Sequence, residues 1–176
     1  MTAYALNPGD ALLLIDIQND FLPGGALPVS NGHQILPQVN RAISIFNSYH
    51  LPILATRDWH PANHHSFHSQ GGPWVPHCIA DTKGADFASE LNLPSSIKII
   101  SKGTLYNKEA YSGFEGTDLH QQLKSLGVNR LFVAGVATDY CVLHTVRDAA
   151  RLGYQILFFI DAIKAVNIQP NDGLNA

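Results

Sequence analysis

Five short apolar runs punctuate the chain, and the stretches between them place their apolar residues at helical spacing. Ala11-Leu-Leu-Leu-Ile-Asp16-Ile17, Pro52-Ile-Leu-Ala-Thr56, Ile97-Lys-Ile-Ile-Ser101, Leu131-Phe-Val-Ala134 and Gln155-Ile-Leu-Phe-Phe-Ile160 have the length of strands. From about Gln34, the residues Ile35, Leu36, Val39, Ala42, Ile43 and Phe46 fall on one helical face, with Pro37 tolerable in the first turn. Thr117 can cap a second helix that turns Leu119, Leu123 and Leu126 inward and stops at Gly127. A third starts at Thr138, carries Val142, Val146, Ala149 and Ala150 inward, and ends at Gly153. Residues 84–93 read as a short helix, and another begins near Asn171. Apolar strands alternating with helices predict a mainly parallel open sheet covered on both faces. Right-handed crossovers then give a three-layer α/β/α sandwich, here a single domain over residues 1–176.

Composition narrows the function more than the fold. A net charge of −3 on 176 residues offers no electrostatic footprint for nucleic acid or an anionic membrane. No apolar run approaches the length of a membrane span, and the N-terminus lacks a basic region followed by an apolar core. Cys78 and Cys141 are too few for a disulfide scaffold, so a reducing cytoplasm is the expected compartment. Histidine is unevenly spread: five of nine (His60, His64, His65, His68, His77) lie between positions 60 and 77.

The chemistry gathers where strands end, which is where open α/β sheets bind ligands. Asp16 follows the first strand, Asp58 and His60 the second, Lys102 the third and Cys141 the fourth. Within the first turn of a helix, Cys141 is near unpaired amides that favour thiolate; the plainer reading is one more small buried residue. Lys102 nearby would favour thiolate too, Asp16 can carry the thiol proton, and the amides of Ala137 and Cys141 can hold an oxyanion. The competing arrangement is a Cys141–His144 dyad at i, i+3. His144 lies one turn deeper, which favours a structural, hydrogen-bonded place in the packing. Asp58-x-His60, with His77 across a glycine-rich loop, offers two imidazoles and a carboxylate, a set that suits zinc, iron or manganese. His64, His65 and His68 are expected mostly at the surface, and Cys78 as a packed thiol.

The motifs Asp16-Ile-Gln-Asn-Asp-Phe21, Arg57-Asp-Trp-His-Pro-Ala-Asn-His-His-Ser-Phe67, Gly71-Gly-Pro-Trp-Val-Pro-His-Cys78, Ser101-Lys-Gly103, Tyr111-Ser-Gly-Phe114 and Gly135-Val-Ala-Thr-Asp-Tyr-Cys141 cover nearly the whole chain. In them the chain resembles the nicotinamidases of the isochorismatase-like cysteine hydrolase superfamily. The resemblance implies the isochorismatase-like fold and hydrolysis of nicotinamide to nicotinate and ammonia in NAD salvage. It implies a triad of Asp16, Lys102 and Cys141, and a divalent metal, zinc first, on Asp58, His60 and His77. Ser66 matches a position that acts through a metal-bound water. Phe21, Trp74 and Tyr111 match aromatic positions around the substrate ring, and a cis peptide is implied before Ala137. A homo-oligomer is expected by the same resemblance. Two features depart from the family pattern. Trp74-Val-Pro-His77 replaces the usual Trp-Pro-x-His, altering the loop but not the ligand, and the given sequence stops before a last helix and edge strand common in the family, being either cut short or without them. Other readings remain a superfamily hydrolase with a carbamoyl or enol-ether substrate, and a non-catalytic metal or small-molecule binding protein.

Overall fold

The structure is a computed structural model that describes residues 5–176. Its sheet contains β1 (Asp10–Ile15), β2 (Ile53–Asp58), β3 (Lys98–Lys102), β4 (Arg130–Val136) and β5 (Gln155–Lys164), in the order β3-β2-β1-β4-β5 with every pairing parallel. The α-helices are α1 (Leu36–Ser48), α2 (Leu119–Ser125), α3 (Leu143–Arg151) and the short α4 (Asp172–Asn175). Strand alternation splits β1 between two cores. Leu12 and Leu14 pack with Val39, Ala42, Ile43 and Phe46 of α1, whereas Leu13 and Ile15 pack with Leu119 and Leu123 of α2, Val142 just before α3 and Ala149 within it. The result is the three-layer α/β/α sandwich. No helix among the described residues is long and apolar enough to cross a membrane.

The inner strands are buried as expected, but β5 is not: Phe158 and Ile160 are exposed on this edge strand. β5 also runs past its expected end at Asp161. A register shift between Val133 and Gly135 lets it resume pairing, with Ile163 opposite Gly135 and Lys164 opposite Val136. Residues 84–93 form turns instead of a helix, because their backbone is taken up by the chain leaving β1. Ala88 N–H donates to Ile17 O, Asp20 N–H to Gly84 O and Asn19 N–H to Asp86 O.

The helix expected from Thr138 begins differently. Thr138–Val142 form a single π-helical turn before α3, and Ala137, not Thr138, is the cap residue. The Thr138 hydroxyl is buried without a hydrogen-bond partner. The Val136–Ala137 peptide is cis. Gly135 is required just before it: φ is +136°, and a Cβ there would sit 2.1 Å from Ile15 O in the neighbouring strand.

Candidate active site

β1 is paired on both sides, so Asp16 leaves the sheet at its centre, with β2 and β3 on one flank and β4 on the other. The β2–β3 register sets Asp58 directly beside Lys102. Lys102 is fully buried, and its Nζ lies 2.5 Å from Asp58 Oδ1, 2.9 Å from Ala110 O, 3.0 Å from Asp16 Oδ2 and 3.6 Å from Cys141 Sγ. An ammonium has three protons for these four acceptors. Hydrogen bonds run to Asp58, Ala110 and Cys141, which leaves Asp16 Oδ2 ion-paired but without a hydrogen bond. Its other oxygen accepts the Thr56 hydroxyl at 2.6 Å. Asp16 therefore keeps one buried acceptor in reserve, in the same cluster as the Cys141 sulfur.

The charges follow from this crowding. Burial favours a neutral Lys102, but Asp16 and Asp58 outweigh it and hold the ammonium charged well beyond its ordinary range. Burial pushes the Asp16 carboxyl up; Lys102 opposes this, while the Asp58 charge adds to it. Burial likewise pushes the Cys141 thiol well up, and the two carboxylates add to a rise that Lys102 only opposes. This direction runs against the expectation of an easily formed thiolate and favours the thiol form of Cys141. The amides expected to hold an oxyanion belong to Ala137 and Cys141, and both residues line one cavity.

The second cluster shares Asp58. Donor atoms of Asp58, His60 and His77 all lie within 4.8 Å of one another. His60 Nδ1 is 2.8 Å from Gly103 O and His77 Nδ1 is 2.7 Å from Val75 O. A carbonyl only accepts, so each Nδ1 carries the proton and each Nε2 keeps its lone pair. Two oriented imidazoles and a carboxylate fit a divalent cation, and zinc best among the ordinary ones. Burial would raise the Asp58 pKa, but the Lys102 charge beside it holds it below the usual carboxylate range. Burial lowers that of His77, keeping it neutral as a ligand must be.

Several side chains behind these donors carry no sequence signal of their own. Gln18 is fully buried; its Oε1 accepts the Asp58 N–H (2.8 Å), and its Nε2 donates to Asp58 O (2.8 Å) and Ala85 O (2.9 Å). Asp20 accepts the N–H groups of Cys78 and Ala26, pinning two loops. His64 corrects the surface expectation, since it is fully buried and stacks on His60 with centroids 4.3 Å apart. Its Nε2 donates to Lys108 O at 2.9 Å, so Nδ1 accepts the Ser66 hydroxyl at 2.7 Å. Ser66 is thus buried beside this donor set with lone pairs to spare, whereas His65 and His68 are exposed as expected. Cys78 is fully buried and its thiol is pushed up by burial, a packed residue.

Above both clusters lies a mostly apolar cavity whose lining includes Phe21, Trp74, Tyr111, Asp58, His77 and Cys141. Trp74 Nε1 donates to the Tyr111 hydroxyl at 3.0 Å, and Phe21 leans on His77 with centroids 5.6 Å apart. Tyr140, Glu109 and Val166 join the lining without having been anticipated. His144 is exposed and stacks on Tyr111 (5.3 Å), not hydrogen-bonded in the packing as expected, and it is not part of that lining. The dyad alternative loses its geometry, because the close polar partner of the sulfur is Lys102.

Known proteins resemble this chain over most of its length. A family model described as the isochorismatase domain matches residues 10–173. The nicotinamidase of Escherichia coli (strain K12) is 37% identical over 190 residues, covering 96% of this chain and 89% of its own length. The solved pyrazinamidase of Pyrococcus horikoshii in complex with zinc superposes with a TM-score of 0.91 at 49% identity, covering 96% of this chain and 92% of that one. PnC1 from L. infantum, in complex with nicotinate, gives a TM-score of 0.86 at 36% identity, with 96% and 86% covered.

Proposed function

This chain belongs to the isochorismatase family, and on that premise we propose that it is a zinc-dependent nicotinamidase. In this reading it converts nicotinamide to nicotinate and ammonia through a thioester on Cys141, as a step of NAD salvage. The observation that carries the reading is the shared position of Asp58, between a Lys102-centred nucleophile and a two-histidine donor set, under one apolar cavity.

Asp16 Oδ2, the acceptor left over by Lys102, takes the thiol proton as Cys141 Sγ attacks the amide carbon. The amides of Ala137 and Cys141 receive the carbonyl oxygen as it gains charge. Asp16 then gives its proton to the departing ammonia, which breaks the C–N bond and leaves the thioester. Next it takes a proton from water, whose oxygen attacks the thioester carbon; the C–S bond then breaks, that proton returns to the sulfur, and the acid formed loses its own proton to solvent as nicotinate. Lys102 keeps Asp16 poised and steadies the transient thiolate. Phe21, Trp74 and Tyr111 enclose the flat ring and exclude water. A zinc ion held by Asp58, His60 and His77 supplies, when bound, a Lewis acid for the ring nitrogen, and Ser66 has lone pairs for a water of that ion.

A small-molecule substrate calls for no nucleic-acid or membrane partner, and two unpaired thiols suit the cytoplasm. We read the chain as one domain. The test is ammonia release from nicotinamide by zinc-loaded protein, with Cys141→Ala losing turnover while retaining zinc. Full activity in that variant would overturn the nucleophile, and no ammonia from the wild type would overturn the substrate.

A further inference from the structure

Asp139 suits the first turn of a helix in sequence, yet both of its oxygens are occupied elsewhere. Oδ1 accepts the Val166 N–H at 2.9 Å and Oδ2 the Asn167 N–H at 2.8 Å. These two amides belong to the segment that follows β5, after its last sheet pairing at Lys164. Asn167 has φ +54°, a turn conformation, and its side chain accepts the Gly173 N–H at 2.9 Å. Val166 lines the substrate cavity with Tyr140 and Cys141, whereas Asp139, between the cap of that turn and the nucleophile, does not. Val166 is 37% exposed, so apolar burial alone anchors it weakly. What holds this wall in place is one carboxylate making two charge-assisted hydrogen bonds.

We propose that Asp139 is a positioning residue: it fixes Val166 as a wall of the cavity and thereby sets which ring substituents the enzyme admits. The inference rests on the nicotinamidase reading above. Because Asp139 sits two residues before Cys141, the same short turn presents the nucleophile and gauges the width of the space in front of it. Loosening the clamp widens the cavity without removing any group that touches the reacting bond.

The experiment compares nicotinamide with its four ring-methylated forms on zinc-loaded wild type, Asp139→Asn, Asp139→Ala, Val166→Ala and the Asp139→Ala/Val166→Ala double variant. An apolar pocket discriminates against one extra methyl by roughly 10–200-fold in kcat/KM, so the wild type should reject at least one analogue on that scale. Asp139→Ala should cut that ratio by about tenfold, raising KM for nicotinamide more than it lowers kcat. Val166→Ala should reproduce the change, the double variant should add little to either, and Asp139→Asn should fall between. A wild type that accepts all four analogues overturns the proposal, as does an Asp139→Ala protein that loses kcat at an unchanged ratio. If Asp139→Ala does not fold, Val166→Ala and Asp139→Asn still decide, and an unchanged ratio in both overturns it. Ammonia from nicotinamide with unchanged ratios refutes this inference alone. No ammonia from the wild type refutes the function and this inference together.

Discussion

Replacing Gly103 by alanine should weaken metal binding without mutating any of Asp58, His60 or His77. Gly103 follows Lys102 with φ +61°, and its carbonyl accepts the His60 Nδ1 proton. A Cβ added there would lie 2.4 Å from His60 Cε1 and 2.7 Å from Nδ1. The ring would have to retreat by about 1 Å to restore van der Waals contact, and it has nowhere to go. His64 stacks on it, and Phe67 and His77 meet it edge-on with centroids 5.7 and 5.1 Å away. Ligand distances tolerate only about 0.2 Å, so such a shift breaks the site. A left-handed alanine costs about 1–2 kcal/mol and overpacking about 1–3. Together these lower the Tm by roughly 5–15 °C in a chain of this size. Zinc affinity, measured by competition with a chromophoric chelator, should fall by about 10–100-fold, as when a ligand loses its orienting partner. Gly116→Ala is the control, because Gly116 has φ +67° and nothing within 4 Å of its added Cβ. It should show the backbone cost and no loss of zinc. If Gly103→Ala binds zinc like the wild type, or Gly116→Ala loses it equally, the steric account is wrong.

Gln18→Leu would leave the Asp58 amide and carbonyl and the Ala85 carbonyl unpaired in the interior. At about 1–3 kcal/mol per orphaned group, urea unfolding should show a loss of roughly 3 kcal/mol or more; a loss below about 1 would mean that water takes over these bonds. Asp10 tests the other end of the sheet, where Arg130 grips its carboxylate through Nε and a second nitrogen, at 2.7 Å each. Burial would raise the Asp10 pKa, but the Arg130 and Asn7 hydrogen bonds lower it on balance. Its stabilisation is thus fully present above the unfolded-state value of about 3.9 and fades as pH falls through the depressed native value. Asp10→Asn should be less stable than wild type at pH 6, with the gap closing in acid; a gap that persists at the lowest pH would mean that shape, not charge, matters there.

The strand order of chemistry was readable because it depends on local pattern. Apolar runs ending in Asp16, Asp58, Lys102 and, one turn later, Cys141 needed only the rule that parallel strands deliver their carboxyl ends to one rim. What escaped reading depends on partners far away in sequence. His64 is buried because Lys108, 44 residues on, offers it a carbonyl, and nothing in its own neighbourhood distinguishes it from exposed His65 and His68. Gln18 is a polar residue inside a family motif, but its work is done on a strand 40 residues away. The helix read at 84–93 lost to hydrogen bonds with the chain leaving β1. At Cys141 the helix-end argument favours a thiolate, but it ignores the burial of the sulfur and the charges of Asp16 and Asp58, which push its thiol up against the opposing Lys102.

Asp58 is where the two clusters cannot be varied separately, and this separates two ligand mutations that would otherwise look alike. Its Oδ1 accepts from Lys102 while its Oδ2 lies 3.6 Å from His60 Nε2. The polar side-chain contacts of His77 are simpler: Nδ1 bonds a backbone carbonyl, and Nε2 is free for the metal. His77→Ala should weaken zinc binding and lose activity at low zinc, yet regain a share of kcat as zinc is raised, because Lys102, Asp16 and Cys141 are untouched. Asp58→Asn removes a ligand and one of the two carboxylates that hold Lys102 charged. A buried lysine with one anionic partner gone is bound less firmly in its charged form, and breaking such a pair costs about 3–5 kcal/mol. Its lost stability and turnover should therefore persist at saturating zinc. The check is activity and thermal unfolding across a zinc titration of both variants. If zinc rescues Asp58→Asn as fully as His77→Ala, Asp58 is a metal ligand only, and Lys102 draws its charge state from Asp16 alone.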